Sequence, residues 1–228
     1  MQLTPDDIVY FQLGFLPINA TLVYTWLVMA LLVGFSALLT RGLRPDAPPG
    51  RWRGALEWIV ILIEKQVKEV TVAGARHVLY FSGTLFLFIA LSNLLAVVPG
   101  FVAPTGSLST TLALTLCVLV AVPLFSIAHR GAGHYLKQFV QPSIFMLPLN
   151  LVGEFSKAIS LSIRLYGNVM SGAVIAAILL TVAPFFFPVL MSLLGLITGL
   201  IQAYIFAILA TVYIAAAMAE SKDQPKGE

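Results

Sequence analysis

The chain has 228 residues, of which 59% are hydrophobic and only 10% are charged. Soluble globular domains carry about 25% charged residues, so this composition, with a mean hydropathy of +0.96, excludes a soluble enzyme. A single cysteine excludes a disulfide scaffold. The chain is therefore predicted to be an integral membrane protein.

Five apolar runs are long enough to cross a bilayer as helices. A spanning helix needs about 20 apolar residues, and the runs cover residues 20–40, 78–99, 107–128, 139–183 and 189–220. We therefore expect one all-α membrane domain. Residues 1–19 would form a non-cytoplasmic N-terminus, and residues 41–77 a cytoplasmic loop.

The last two apolar runs exceed the thickness of a membrane. Apolar sequence extends over 34 residues from Asn150 to Ala183 and over 32 residues from Val189 to Glu220. Each helix would be about 50 Å long, against a hydrocarbon core of about 30 Å. Because tilting relieves such a mismatch, the lengths predict a steeply inclined hairpin that turns at Pro184–Pro188. Protrusion of the helix ends into water is the alternative.

Residues 51–76 differ from the spanning runs because charged and apolar side chains interleave there, with Trp52 and Trp58 among them. This pattern predicts an amphipathic helix lying in the membrane interface. A docking surface for a partner subunit is a competing use, and the two are compatible.

The basic residues predict the orientation. Eleven of the 13 Lys and Arg residues lie in the 41–77 loop, in the connection after the third span and in the C-terminal tail. With five spans these segments share one side of the membrane. The positive-inside rule assigns that side to the cytoplasm, so the N-terminus is expected outside and the C-terminus in the cytoplasm.

Two basic residues lie inside the fourth span. Lys157 is near its start and can extend its ammonium group to the interface. Arg164 is deeper, where an arginine costs about 2.5–3.5 kcal/mol on insertion scales. A structural ion pair and a functional site are the two explanations for Arg164.

Polar residues around Arg164 share one face of its helix. Residues four or seven positions apart line up on a helix, which gives a stripe of Asn150, Lys157, Ser160, Arg164, Asn168 and Ser171. Lipid would leave such groups unpaired, so the stripe is expected to line water or to face a polar partner. An arginine keeps its charge and cannot relay a proton, and the stripe carries no carboxylate. We therefore expect another subunit to supply one.

The last span contributes one amide, Gln202, with Thr198 about one turn earlier. Gly195 and Gly199 allow a neighbouring helix to approach closely, so Gln202 is predicted to lie near Arg164. The alternative is that Gln202 is a core residue whose amide forms its hydrogen bonds within the protein interior. Asn93, deep in the second span, extends the same set of polar groups.

Several segments resemble one known family. Residues 161–168 (LSIRLYGN), followed by Gly172, resemble the signature helix of subunit a of F-type ATP synthases. Residues 201–206 (IQAYIF) are similar to the second signature of that family. Residues 92–95 (SNLL) and 104–109 (PTGSLS) fit its second-span motif and the loop that follows.

The resemblance implies a stator ion-channel subunit. Arg164 would face a ring of c subunits, each with one ion-binding carboxylate, and would separate two aqueous half-channels for H⁺ or Na⁺. Gln202 would lie beside Arg164, and Asn168 and Asn93 would line the half-channels. The other candidate channel residues are Asn150, Ser160, Ser171, Thr198 and Lys157.

The resemblance also implies the setting of the chain. It would have no catalytic site of its own, no cofactor and no metal site, and it would sit as a multi-pass protein in a bacterial inner membrane. Its partners would be the c-subunit ring, the b subunits of the peripheral stalk, the F1 sector indirectly and the lipid bilayer, with no nucleic acid. A stand-alone secondary transporter is the alternative function, although such proteins usually show internal repeats.

Four positions depart from the family pattern. Many members carry a carboxylate or imidazole at the positions of Ala173 and Gly195, and others carry an acid at those of Ala96 and Asn150. All four residues are neutral here. This departure resembles the variant bacterial branch of these ATPases that is often coupled to sodium.

Overall fold

Five long helices dominate the structure. The computed structural model describes residues 6, 9–13, 16–40, 54, 57–58, 61, 64–65, 75–98, 100–131, 133, 145–182 and 187–218. The helices are α1 (Ala20–Thr40), α2 (Ala75–Leu95), α3 (Leu108–Arg130), α4 (Met146–Val182) and α5 (Phe187–Met218). All five are long and apolar enough to cross a membrane. The chain is a multi-pass all-α membrane protein, as its composition predicts.

A short β-hairpin precedes the first helix and was not expected from the sequence. Strands β1 (Val9–Leu13) and β2 (Leu16–Asn19) pair antiparallel, with an irregularity in register between Val9 and Phe11. Strand β2 leads directly into α1. The hairpin therefore adds a small β element outside the spanning helices.

The connection between α2 and α3 is compact. Helix α2 ends at Leu95, earlier than the 99 predicted. In a helix continued to Pro99 the proline ring would clash with the carbonyl of Leu95, four residues before it. Gly100 then adopts a φ of 91°, which glycine tolerates better than other residues. A buried 3-10 turn, Pro104–Gly106, leads into α3.

Helices α4 and α5 form an antiparallel pair. They have 37 and 32 residues, which correspond to about 55 and 48 Å. Near one end Lys157 of α4 lies over Tyr213 of α5, whereas residues 168–176 meet residues 191–199 further along. Both lengths exceed the hydrocarbon thickness, and the inclination of the pair stays a prediction.

Parts of several predicted segments lie outside the described residues. These are residues 139–144 at the start of the fourth predicted span, most of the turn at Pro184–Pro188, and most of the predicted interfacial helix 51–76. The described residues between 54 and 65 are helical.

Helix α5 is central to the bundle and packs against α2, α3 and α4, whereas α1 packs mainly against α2. One core cluster joins Ile89 of α2, Phe206 of α5 and two leucines of α4, Leu161 and Leu165. Both leucines are buried, but most of α4 is exposed. A narrow buried face therefore leaves much of α4 available for contacts outside this chain.

Candidate functional site

Arg164 lies on α4 between two buried leucines, Leu161 and Leu165, and its own side chain is exposed. Among the described residues it forms no hydrogen bond and no ion pair. In a spanning helix this places a permanent cation on the outer surface of the chain. Facing lipid would cost about 2.5–3.5 kcal/mol, so the geometry suits a carboxylate supplied from outside the chain.

The other polar residues of the stripe lie on the same helix with differing exposure. Lys157, Ser160 and Ser171 are exposed, and Asn150 and Asn168 are half-buried. The hydroxyl of Ser171 donates to the backbone oxygen of Asn168 at 3.2 Å. The stripe is thus largely outward-facing, like Arg164 itself.

Lys157 differs from Arg164 because this chain supplies its partners. Its ammonium group donates to Oε1 of Glu154 at 2.8 Å. The same nitrogen lies 5.6 Å from the ring centroid of Tyr213 on α5. Within the part of the chain that the structure describes, the positive charge of Lys157 therefore has partners and that of Arg164 has none.

Gln202 is buried, with 6% of its surface exposed. Its Nε2 atom has no hydrogen-bond partner among the described residues, and no hydrogen bond joins it to Arg164. Leaving a buried amide unpaired costs about 1–3 kcal/mol. Thr198 does not satisfy it, because its hydroxyl donates to the backbone oxygens of Leu194 and Gly195.

A cavity of about 230 Å³ lies between the end of α2, the 3-10 turn, α4 and α5. This volume holds several water molecules. Its polar lining comes from Asn93, Asn168 and Ser192. Three of the positions that depart from the family pattern also line it, namely Ala96, Ala173 and Gly195. The departures are therefore concentrated in one space, and none of the described residues that line it carries a charge.

Asn93 joins three elements at the wall of this cavity. Its Nδ2 donates to the backbone oxygen of Gly199 on α5 at 2.9 Å. Its Oδ1 accepts the hydroxyl of Thr105, in the 3-10 turn, at 3.0 Å. A Cβ at Gly199 would lie 3.0 Å from Cβ and Cγ of Asn93. Gly199 therefore permits the close approach that this hydrogen bond requires.

The structure brings some predicted residues together and separates others. Asn93 and Asn168 share the cavity, and Asn168 lies one turn from Arg164 on α4, about 6 Å along the axis. Lys157 lies on the opposite side of Arg164 along the helix, about 10 Å away. Arg164 therefore stands between the cavity and the Lys157 end of the stripe.

Two hydroxyl groups form a contact between helices that the sequence does not predict. The hydroxyl of Ser162 on α4 donates to that of Thr111 on α3 at 3.2 Å, and Thr111 donates in turn to the backbone oxygen of Leu108. Both side chains are fully buried. Ser162 lies within the signature segment, but its partner, 51 residues away, has no local signal.

The described residues contain no cluster of three or more His, Cys, Asp or Glu that would hold a metal ion. The described part of the site offers a guanidinium with no partner there, a small number of amides and hydroxyls, and a cavity with room for several water molecules.

Comparison with known proteins identifies the family. The family model for the ATP synthase A chain matches residues 22–215. The chain is 52% identical to ATP synthase subunit a of Albidiferax ferrireducens, over 99% of this chain and 98% of that protein. It is 55% identical to ATP synthase subunit a 2 of Acaryochloris marina (95% and 93%) and 52% identical to ATP synthase subunit a 1 of Chlorobium luteolum (98% and 100%). The match extends over nearly the whole chain and confirms the resemblance carried by the signature segments: the chain belongs to the family of ATP synthase subunit a.

Proposed function

We propose that this chain is the stator ion-channel subunit of a rotary ATP synthase. It carries H⁺ or Na⁺ to and from the carboxylates of a c-subunit ring, and Arg164 couples that movement to rotation of the ring. The observation that carries the proposal is an exposed guanidinium with no partner among the described residues, one helical turn from a cavity into which Asn93, Asn168 and Ser192 bring polar groups.

The cavity is the non-cytoplasmic half-channel. It lies at the end of the bundle that holds the connection between α2 and α3, and the distribution of Lys and Arg residues assigns this connection to the outside. Asn168 extends the polar lining to within one turn of Arg164. An ion that enters here is solvated by water and amide groups up to the face that the ring contacts.

The cytoplasmic half-channel runs along the other end of the stripe. Ser160, Lys157 and Asn150 precede Arg164 on α4, on the side that the basic residues assign to the cytoplasm. Glu154 pairs with Lys157, which lowers the repulsion that an unpaired ammonium would exert on a passing cation. Water between this face and the ring would complete the path.

Arg164 acts through electrostatics. A ring carboxylate that arrives with its ion meets a fixed positive charge, which favours the ionised carboxylate and the release of the ion. The same charge repels a cation that would pass directly between the half-channels. Each charge crossing the membrane supplies about 2.3 kcal/mol per 100 mV, so several ions are needed for each ATP made.

The partners and location follow from this role. The outer face of α4 meets the c-subunit ring, and the b subunits of the peripheral stalk hold the chain against rotation. The F1 sector, which makes ATP, is reached indirectly through these subunits. The complex sits in a bacterial plasma membrane with the C-terminus of this chain in the cytoplasm.

The test is ATP-driven transport by the assembled complex in proteoliposomes, in sodium-free buffer and with millimolar Na⁺, with and without a protonophore. Sodium uptake that persists with the protonophore identifies Na⁺ as the coupling ion. Acidification without sodium, abolished by the protonophore, identifies H⁺. Ion transport by the purified chain alone, with no other subunit present, would contradict the proposal and favour a secondary transporter.

A further inference from the structure

Asp6 bridges the starts of two helices. Its Oδ1 accepts the hydroxyl of Thr21, in the first turn of α1, at 2.6 Å. Its Oδ2 accepts the hydroxyl of Ser107, which directly precedes α3, also at 2.6 Å. The hydroxyl of Ser109 adds contacts of 3.3 Å to both oxygens. One carboxylate therefore ties the N-terminal segment to α1 and α3.

The hydrogen bonding of Ser107 indicates that this contact takes the place of an ordinary helix cap. Ser107 is the N-cap residue of α3, yet its side chain forms no capping hydrogen bond. A serine at this position usually accepts a backbone N–H of the first turn. Here its hydroxyl donates to Asp6, and the negative charge is favoured by the positive ends of two helix dipoles.

The turn just before Ser107 also forms a wall of the cavity. Ser107 directly follows the buried turn Pro104–Gly106. Thr105 in that turn donates to Asn93, and Gly106 lines the cavity. A Cβ added to Gly106 would lie 3.3 Å from Cγ1 of Val169 on α4, so the turn packs closely against the helix of Arg164.

We infer that Asp6 is a positioning residue for the non-cytoplasmic half-channel. By fixing Ser107 it holds the 3-10 turn in place, and through Thr105 it holds the amide of Asn93 at the cavity wall. The inference rests on the proposed function, because it assumes that this cavity carries the ion. Releasing Asp6 should hinder ion access from its own side of the membrane and leave access from the cytoplasm intact.

The experiment measures the half-saturating concentration of the coupling ion in both directions with the reconstituted complex. During ATP synthesis the ion loads from the side of Asp6, whereas during ATP-driven transport it loads from the cytoplasm. Asp6→Ala should raise the half-saturating concentration several-fold for synthesis and leave it unchanged for ATP-driven transport. Ser107→Ala should reproduce the effect, and the double variant should be no worse than Asp6→Ala, because both single variants remove the hydrogen bond between Ser107 and Asp6.

A further variant keeps the test decisive. Asp6→Asn retains one acceptor oxygen, so it should give a smaller rise and is informative even if Asp6→Ala does not assemble. The inference is overturned by equal changes in both directions or by no change. Failure of the proposed function would instead appear as a wild-type complex that couples no ion in either direction.

Discussion

Gly199→Ala should destabilise the chain by wedging α5 away from α2. The added Cβ would lie 3.0 Å from Cβ and Cγ of Asn93 and 3.1 Å from its Nδ2, closer than side chains normally approach. Overpacking of this kind costs about 1–3 kcal/mol, and weakening the Asn93 hydrogen bond adds about 1 kcal/mol. Alanine favours the helical conformation by about 1 kcal/mol relative to glycine, which offsets part of this destabilisation. We therefore expect a net loss of about 1–3 kcal/mol.

The matched control for this variant is Gly195→Ala, one turn earlier on the same helix. An added Cβ at Gly195 has no heavy atom within 4 Å, so this variant should be as stable as the wild type or slightly more stable. The assay heats the solubilised complex through a series of temperatures and follows the remaining intact complex by size-exclusion chromatography. Gly199→Ala should lower the midpoint by several degrees.

A double variant tests whether Asn93 is the cause. Asn93→Ala removes Cγ and Nδ2, two of the three atoms that the new methyl group would crowd. The cost of Gly199→Ala should therefore be smaller in that background. Equal midpoints for Gly199→Ala and Gly195→Ala would show that the close approach of Gly199 to Asn93 does not limit stability, as would a cost of Gly199→Ala that is unchanged in the Asn93→Ala background.

Three further predictions use the same heating assay and the transport assay. Gln202→Leu should keep or raise its midpoint, because it removes a buried amide whose Nε2 has no partner among the described residues, but it should slow ATP-driven transport; normal transport would mean that Gln202 serves packing alone. Thr111→Val leaves the buried hydroxyl of Ser162 without its acceptor and should cost about 1–3 kcal/mol; an unchanged midpoint would show that water or another group replaces the contact. Lys157→Met breaks the ion pair with Glu154, in which Lys157 is 49% exposed, and such pairs contribute about 0–1 kcal/mol; a midpoint many degrees lower would contradict this estimate.

The parts of the fold that were predictable depend on local composition. An apolar run of about 20 residues has few alternatives to a spanning helix, and all five runs correspond to helices in the structure. The hairpin of β1 and β2 was missed because its strands have only five and four residues. Strand pairing also depends on contacts with a partner strand, which a short apolar segment does not reveal.

The candidate site was predictable where the type of a single residue is unusual for its position. Arg164 stands out because its charge is costly in an apolar helix, whatever its neighbours are. The partners of Asn93 could not be predicted, because Gly199 is 106 residues away and a backbone oxygen has no sequence signature. The contact between Asp6 and Ser107 spans 101 residues and combines two common residue types. Such contacts follow from tertiary packing, which local pattern does not encode.

Arg164→Ala removes the guanidinium that is proposed to couple ion movement to rotation of the ring. ATP hydrolysis and ion uptake would be measured together in proteoliposomes that contain equal amounts of assembled wild-type or variant complex. Arg76→Ala, which removes an exposed arginine at the start of α2, is the matched control and should retain coupled uptake. We expect the Arg164→Ala complex to assemble but to drive no ion uptake. Coupled uptake at the wild-type ratio of ions to ATP in that variant would overturn the proposed role of Arg164.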